Sequence, residues 1–182
     1  MYAGILAAAV RVLETDGALG FTTTRVAEEA GISVGSLYQY FPNKQAMVVA
    51  LHREAVEKGW EHVQRILDDP GRSARQKVED VASWFISAEA AEISRIRPIG
   101  DEMEVFVSHD LHDGFETEVH RRFSDFVARE SQQPEEAGFA ANLLMTTIEA
   151  VGKAIASRPM TKTERRRWAY STAEMLCDYL RL

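Results

Sequence analysis

The sequence predicts an all-α protein, and three observations carry that prediction. Apolar residues recur at three- and four-residue spacing along almost the whole chain. No run combines β-branched residues, strict alternation and hairpin turn chemistry. Helix stop signals (Gly17 with Gly20, Gly31, Pro42, and Asp69-Pro70-Gly71) punctuate the periodic stretches.

Taken in order, Ile5, Ala8, Ala9, Val12 and Leu13 mark a first helix that Gly17 and Gly20 end. A short second helix is expected over about 24–30, with Val26, Ala27 and Ala30 inward and Arg25, Glu28 and Glu29 outward. Gly31 breaks it, and Ser33 can cap a third helix to about residue 40, closed by Pro42. Two short helices joined by a tight glycine turn are a helix-turn-helix. A long amphipathic helix follows over about 44–67, ending at Asp69-Pro70-Gly71, the best boundary signal in the chain. Beyond it, helices are expected over about 74–91, 111–129, 134–157 and 161–180, with a shorter element interrupted by Pro98 and Gly100.

The chain has 182 residues, 46% hydrophobic and 27% charged, enough for a real core in one domain or two closely packed ones. A net charge of -7 excludes a protein that coats nucleic acid through bulk charge, yet leaves a local DNA-contacting surface open. Cys177 is the single cysteine, so an intrachain disulfide and a Cys-rich zinc module are both excluded. A reducing, cytoplasmic setting fits, and no cofactor or metal is expected. The apolar opening from Ile5 to Val10 is too short to span a bilayer and runs into Arg11, Glu14 and Asp16, so a soluble chain without a membrane role is expected.

The residues of the helix-turn-helix suit contact with double-stranded DNA. Gly35 and Ser36 leave the first turn of the third helix almost without side-chain bulk, so its backbone can approach a groove. Tyr38, Gln39 and Tyr40 bring hydroxyl and amide groups to phosphates or base edges, while Leu37 and Phe41 anchor the helix from behind. Thr23 and Thr24 lie at the start of the second helix, where unpaired amides favour a phosphate, and Lys44 opens the long helix beside the same surface. The basic residues here, chiefly Arg11, Arg25 and Lys44, face Glu14, Asp16, Glu28 and Glu29, which predicts a shallow salt dependence.

Ala30-Gly31-Ile32-Ser33, Gly35-Ser36-Leu37-Tyr38-Gln39-Tyr40-Phe41 and Lys44, after the threonine run that follows Phe21, resemble the N-terminal domain of the tetracycline-repressor-like (TetR) family. The likeness covers about the first fifty residues. It implies a three-helix DNA-binding domain over about 1–50, linked by the long helix to a larger ligand-sensing and dimerisation domain over 51–182. It also implies that Thr23, Ser33, Gly35, Ser36, Tyr38, Tyr40 and Lys44 occupy DNA-contacting positions, and that the usual mode of action is repression. Val34 departs from the pattern, where many relatives carry Lys or Arg; it is expected to touch a thymine methyl instead.

In the larger part, the helix over about 134–157 is apolar nearly all round, and its Ala150, Gly152 and Ala154 suit close helix approach. The last helix offers Trp168, Thr172, Met175, Leu176 and Tyr179 on one broad face. Two such helices from each of two subunits would make a four-helix homodimer interface, which the resemblance implies; an intrachain core is the alternative. Arg165, Arg166 and Arg167 read as a solvated face or a salt-bridged rim rather than a nucleic-acid patch. Trp84, Phe85, Met103, Phe106, Phe115, Phe123 and Phe126, with the polar Asn142, Thr146 and Glu149, suit a largely apolar pocket for a small-molecule effector, or an ordinary core. Arg97-Pro98-Ile99-Gly100 is a candidate hinge or a plain turn.

His109, His112, Glu116 and His120 form a stripe that reads as titratable and solvent-facing, with metal ligation as the alternative. A small all-α enzyme would need His120 with Glu116 or Glu149 as acid and base, but the chain has no Gly-rich phosphate loop or nucleophile elbow to support it. A helical adaptor without DNA affinity is the remaining rival.

Overall fold

The computed structural model describes residues 1–96, 115–132, 134–156 and 158–182. They form α1 (Tyr2–Gly20), α2 (Thr23–Ala30), α3 (Val34–Tyr38), α4 (Lys44–Asp68), α5 (Ala74–Ile96), α6 (Phe115–Glu130), α7 (Ala137–Ala156, after a 3-10 turn at Pro134–Glu136) and α8 (Lys162–Leu180), with no strand among the described residues. The candidate hinge at 97–100, Met103, Phe106, His109 and His112 lie outside them.

Backbone contacts divide the chain into two compact units, one built on Met1–Lys58 and one on Gly59–Ile93 with the chain from α6 onward. The division falls within α4, ahead of the Asp69-Pro70-Gly71 turn.

In the first unit, Ile5, Leu6, Ala9 and Val12 of α1 close over Val26 and Ala27 of α2, Leu37 and Phe41 around α3, and Met47 and Val48 of α4. Burial of this apolar surface is the main force holding three short helices that could not persist alone. Gly17 sits at φ 66°, a left-handed conformation that breaks α1 before its last turn. Gly31 caps α2 at φ 67°, and the Ile32 N–H donates to the Ala27 carbonyl at 3.0 Å, so the α2 carbonyls are satisfied as the chain turns. Ion pairs from Arg25 to Asp16 at 2.6 Å and from Arg11 to Glu29 at 2.7 Å join α1 to α2 at the surface.

The second unit packs Val63, Ile66 and Leu67 of α4, Val81 and Ala82 of α5, Phe123, Phe126 and Val127 of α6, Ala141, Leu144 and Ile148 of α7, and Ala173, Leu176 and Leu180 of α8 into one core. Cys177 lies in it, and burial pushes its thiol up to about 11, so it stays protonated. Arg75 at the start of α5 ties down the C-terminal turn through Glu174, through Asp178 at 3.1 Å, and through the Leu182 carbonyl at 3.5 Å. Thr161 and Glu164 form a reciprocal capping box that starts α8.

Pro134–Ala156 is long and apolar enough to cross a bilayer by length and composition alone. Its Ala140, Ala141, Leu144 and Ile148 face is sealed into the core, as in the central helix of a globular domain. The opposite face, however, is open. Asn142, Thr146, Glu149, Ala150 and Ala154 are exposed, and Glu149 pairs with Lys153. The expectation that this helix is buried on several sides is corrected accordingly, as is the placing of Asn142, Thr146 and Glu149 among core-facing pocket groups.

Candidate nucleic-acid interface

The surface expected to meet DNA is built by local capping. The Thr22 side chain accepts from the Arg25 N–H at 3.2 Å and starts α2; the Ser33 hydroxyl accepts from the Ser36 N–H at 3.0 Å and starts α3. The Ser33 and Ser36 hydroxyls also lie 2.9 Å apart. Asn43 caps α4 by accepting from the Ala46 N–H at 2.8 Å. Behind α3, the buried Leu37 and Phe41 fix its rotation, and the Tyr2 ring lies over Phe41 at 4.9 Å between centroids.

That rotation leaves Tyr38 and Tyr40 exposed, at 47% and 40%, with Gln39, Ser33, Gly35 and Thr24 also open to solvent. The Thr23 hydroxyl lies 3.4 Å from the Tyr38 hydroxyl, so α2 and α3 present two hydroxyls as one polar edge. A side chain at Gly35 would meet only the Ser33 Oγ, at 3.8 Å. The fold leaves this space empty, which suits the approach of a groove. Lys44 Nζ sits 5.5 Å from the centroid of the Phe21 ring at the start of α4.

One expectation is corrected. The α3 helix ends at Tyr38, so Gln39 and Tyr40 lie in the turn beyond it; the N–H groups of Gln39 and Tyr40 reach back three residues, to Ser36 and Leu37, and Pro42 prevents renewal. Val34 is half-buried and packs in part against the core of the first unit. Arg25 and Arg11 are engaged by Asp16 and Glu29, and the hydrogen bond from Arg25, with a smaller one from Thr15, holds the Asp16 carboxyl below the usual carboxylate range. Sequence reasoning missed Thr22 and Asn43 as caps. Three consecutive threonines left the choice at α2 open, whereas the Asn43–Ala46 spacing was a usable signal at α4.

In the second unit, Trp84, Phe85 and Phe115 are half-buried, and Phe123 and Phe126 belong to the core itself. Trp84 lies 6.3 Å from Phe85 and 5.4 Å from His62, while Trp60 lies 6.2 Å from Phe115 and 6.3 Å from Phe123. Trp60 and His62 were not anticipated in this aromatic group. Of the expected dimer residues, Ala150, Ala154, Trp168, Met175 and Tyr179 are exposed, whereas Gly152 and Thr172 are buried within the chain. Their assignment to an outer face is corrected: each lies on the side of its helix that meets the chain's own core. Phe139 and Tyr170, 64% and 58% exposed, lie on α7 and α8 and were not foreseen. His120 Nδ1 lies 3.5 Å from the Ser124 hydroxyl.

Residues 5–51 match the family model described as bacterial regulatory proteins, tetR family. A stretch of 66 residues is 39% identical to the nucleoid occlusion factor SlmA of Vibrio campbellii, covering 36% of this chain and 34% of that protein. A stretch of 86 residues is 28% identical to the fatty acid metabolism regulator protein of Bacillus subtilis, covering 47% and 44%. These alignments span about a third and under half of the relatives' lengths. The fold is similar to that of the TetR family repressor AlkX from a Dietzia species, with a TM-score of 0.66 and 19% identity over 99% of this chain and 95% of that one. With the capped α2–α3 unit, these likenesses show that residues 5–51 carry a helix-turn-helix domain of the tetR type.

Proposed function

We propose that this chain is a cytoplasmic, homodimeric transcriptional repressor that grips a palindromic operator and is released by a small-molecule effector. The observation that carries the reading is the polar edge of α2 and α3, where the Thr23 and Tyr38 hydroxyls stand 3.4 Å apart beside an open Gly35. Hydroxyls and small residues of this kind position a helix on the phosphate backbone without bulk positive charge. The reading needs no catalytic step. Thr23, Thr24 and Tyr38 serve as phosphate contacts, Ser36 and Gln39 as base readers, and Ser33 as the cap that aims them.

The exposed Phe139, Ala150, Trp168, Met175 and Tyr179 support a second copy of this chain as the partner on α7 and α8. The half-buried Trp84, Phe85 and Phe115 support a largely apolar effector in the second unit, and two relatives are named for fatty acid metabolism and n-alkane biodegradation.

Selection from a random double-stranded DNA library, followed by mobility shift at fixed salt, tests the reading. The expected product is two inverted half-sites about 10 base pairs apart, one helical turn. Binding that is no tighter to any selected sequence than to random DNA refutes it.

A further inference from the structure

We propose that Trp84 is a positioning residue for operator binding, seated on α4 at Gly59, so that displacing its indole disturbs the helix that leads to the reading surface. The inference rests on the repressor reading above. Gly59 is buried in the interior of the 25-residue α4, where glycine is the poorest helix former apart from proline. A Cβ at that position would lie 2.5 Å from Cη2, 3.1 Å from Cζ2 and 3.6 Å from Cζ3 of Trp84. The edge of the indole therefore occupies the space where any other side chain would begin.

His62, one turn further along α4, meets the same indole with 5.4 Å between ring centroids. Positions 59 and 62 share one face of the helix, so Trp84 touches α4 at two successive points. Gly59 and Trp84 both belong to the second unit, whose share of α4 begins at Gly59. A close-packed contact of this kind responds by switching rather than by gradual compression. An effector reaching Trp84 would shift α4 through this contact, and by linkage operator binding would shift Trp84.

The test uses the full chain and the operator recovered by selection. In Gly59→Ala the new methyl pushes the indole away, and operator affinity is expected to fall about tenfold, a typical coupling between linked sites. In Gly59→Ala/Trp84→Ala the methyl has room, and affinity is expected to return to that of Trp84→Ala. Independently, wild-type protein grown with 5-fluorotryptophan carries three tryptophans, and the resonance absent from Trp84→Phe is expected to move when operator is added. Unchanged affinity in a folded Gly59→Ala, or a double variant that binds operator more weakly than Trp84→Ala, overturns the proposal. So does a Trp84 resonance that stays fixed at operator saturation, which decides the matter even if Gly59→Ala does not fold. Failure of the wild type to bind any operator removes the repressor reading, and this proposal with it.

Discussion

The polar edge of α2 and α3 and the outer face of α7 and α8 both expose large side chains, with different balances of polar and apolar atoms. Around α3 the exposed rings are Tyr38 and Tyr40, each carrying a hydroxyl, with Gln39 between them. On α7 and α8 the exposed large side chains are Phe139, Trp168 and Met175, whose bodies are apolar, together with Tyr170 and Tyr179. A hydroxyl edge suits a phosphate backbone, whereas an apolar face suits another apolar face. Exposure alone would have grouped the two surfaces; Phe139 and Met175, large side chains with no polar tip, separate them.

The sharpest contrast within the second unit is between two phenylalanines. Phe126 is 1% exposed in the core and Phe139 is 64% exposed on α7. Phe126→Ala is expected to cost about 3–5 kcal/mol in urea unfolding. Phe139→Ala is expected to change the unfolding of dilute protein by about 0.5 kcal/mol or less. Equal costs would remove the distinction between core and outer face.

Next in size is assembly. Met175→Glu or Ala150→Glu places a charge on the outer face, and burying it unpaired is expected to weaken dimerisation about a hundredfold or more. Sedimentation velocity across a concentration series measures the shift. A wild type that is monomeric at micromolar concentration breaks the comparison outright.

On the polar edge, Tyr38→Ala and Thr23→Ala are expected to lower affinity about tenfold for every operator variant alike, because phosphate contacts carry no sequence information. Base preference is expected to change instead on substituting Ser36 or Gln39. Titrations against a panel of single-base operator variants separate the two patterns.

Gly35→Ala has two smaller effects of opposite sign. The new methyl meets open space and helix propensity improves, so thermal stability is expected to hold or rise, by at most about 1 kcal/mol. The same methyl intrudes on the groove, and operator affinity is expected to fall severalfold, about 1 kcal/mol. A variant with unchanged affinity would show that α3 does not approach DNA through its first turn.

The smallest effect concerns pH. The Asp16 carboxyl is held below its ordinary range by Arg25, so this pair stabilises the first unit fully above the carboxylate's unfolded pKa and loses its effect as pH falls through the lowered folded value. Asp16→Asn is expected to flatten the acid limb of the stability curve slightly, and added salt to shrink the difference, because the pair is exposed. Identical acid limbs for both proteins would show that the pair contributes nothing measurable.

The sequence by itself determined the helical class, the helix-turn-helix and most of its exposed polar residues. These rest on local signals: Gly31 in the left-handed cap, Ser33 bonded to the Ser36 N–H, and Pro42 barring continuation all act within a few residues. Only the tertiary structure decided which way each helix is turned. Val34 was drawn partly inward by the core of the first unit, and α7, apolar nearly all round, turned Gly152 inward and Asn142, Thr146 and Glu149 outward. Periodicity fixes which residues share a face, but where every face is apolar the rotation is set by neighbours distant in the chain. The contact between Gly59 and Trp84 lies beyond sequence reading for the same reason: a glycine inside a helix is locally a defect, and its use becomes visible only once an indole from another helix fills the space.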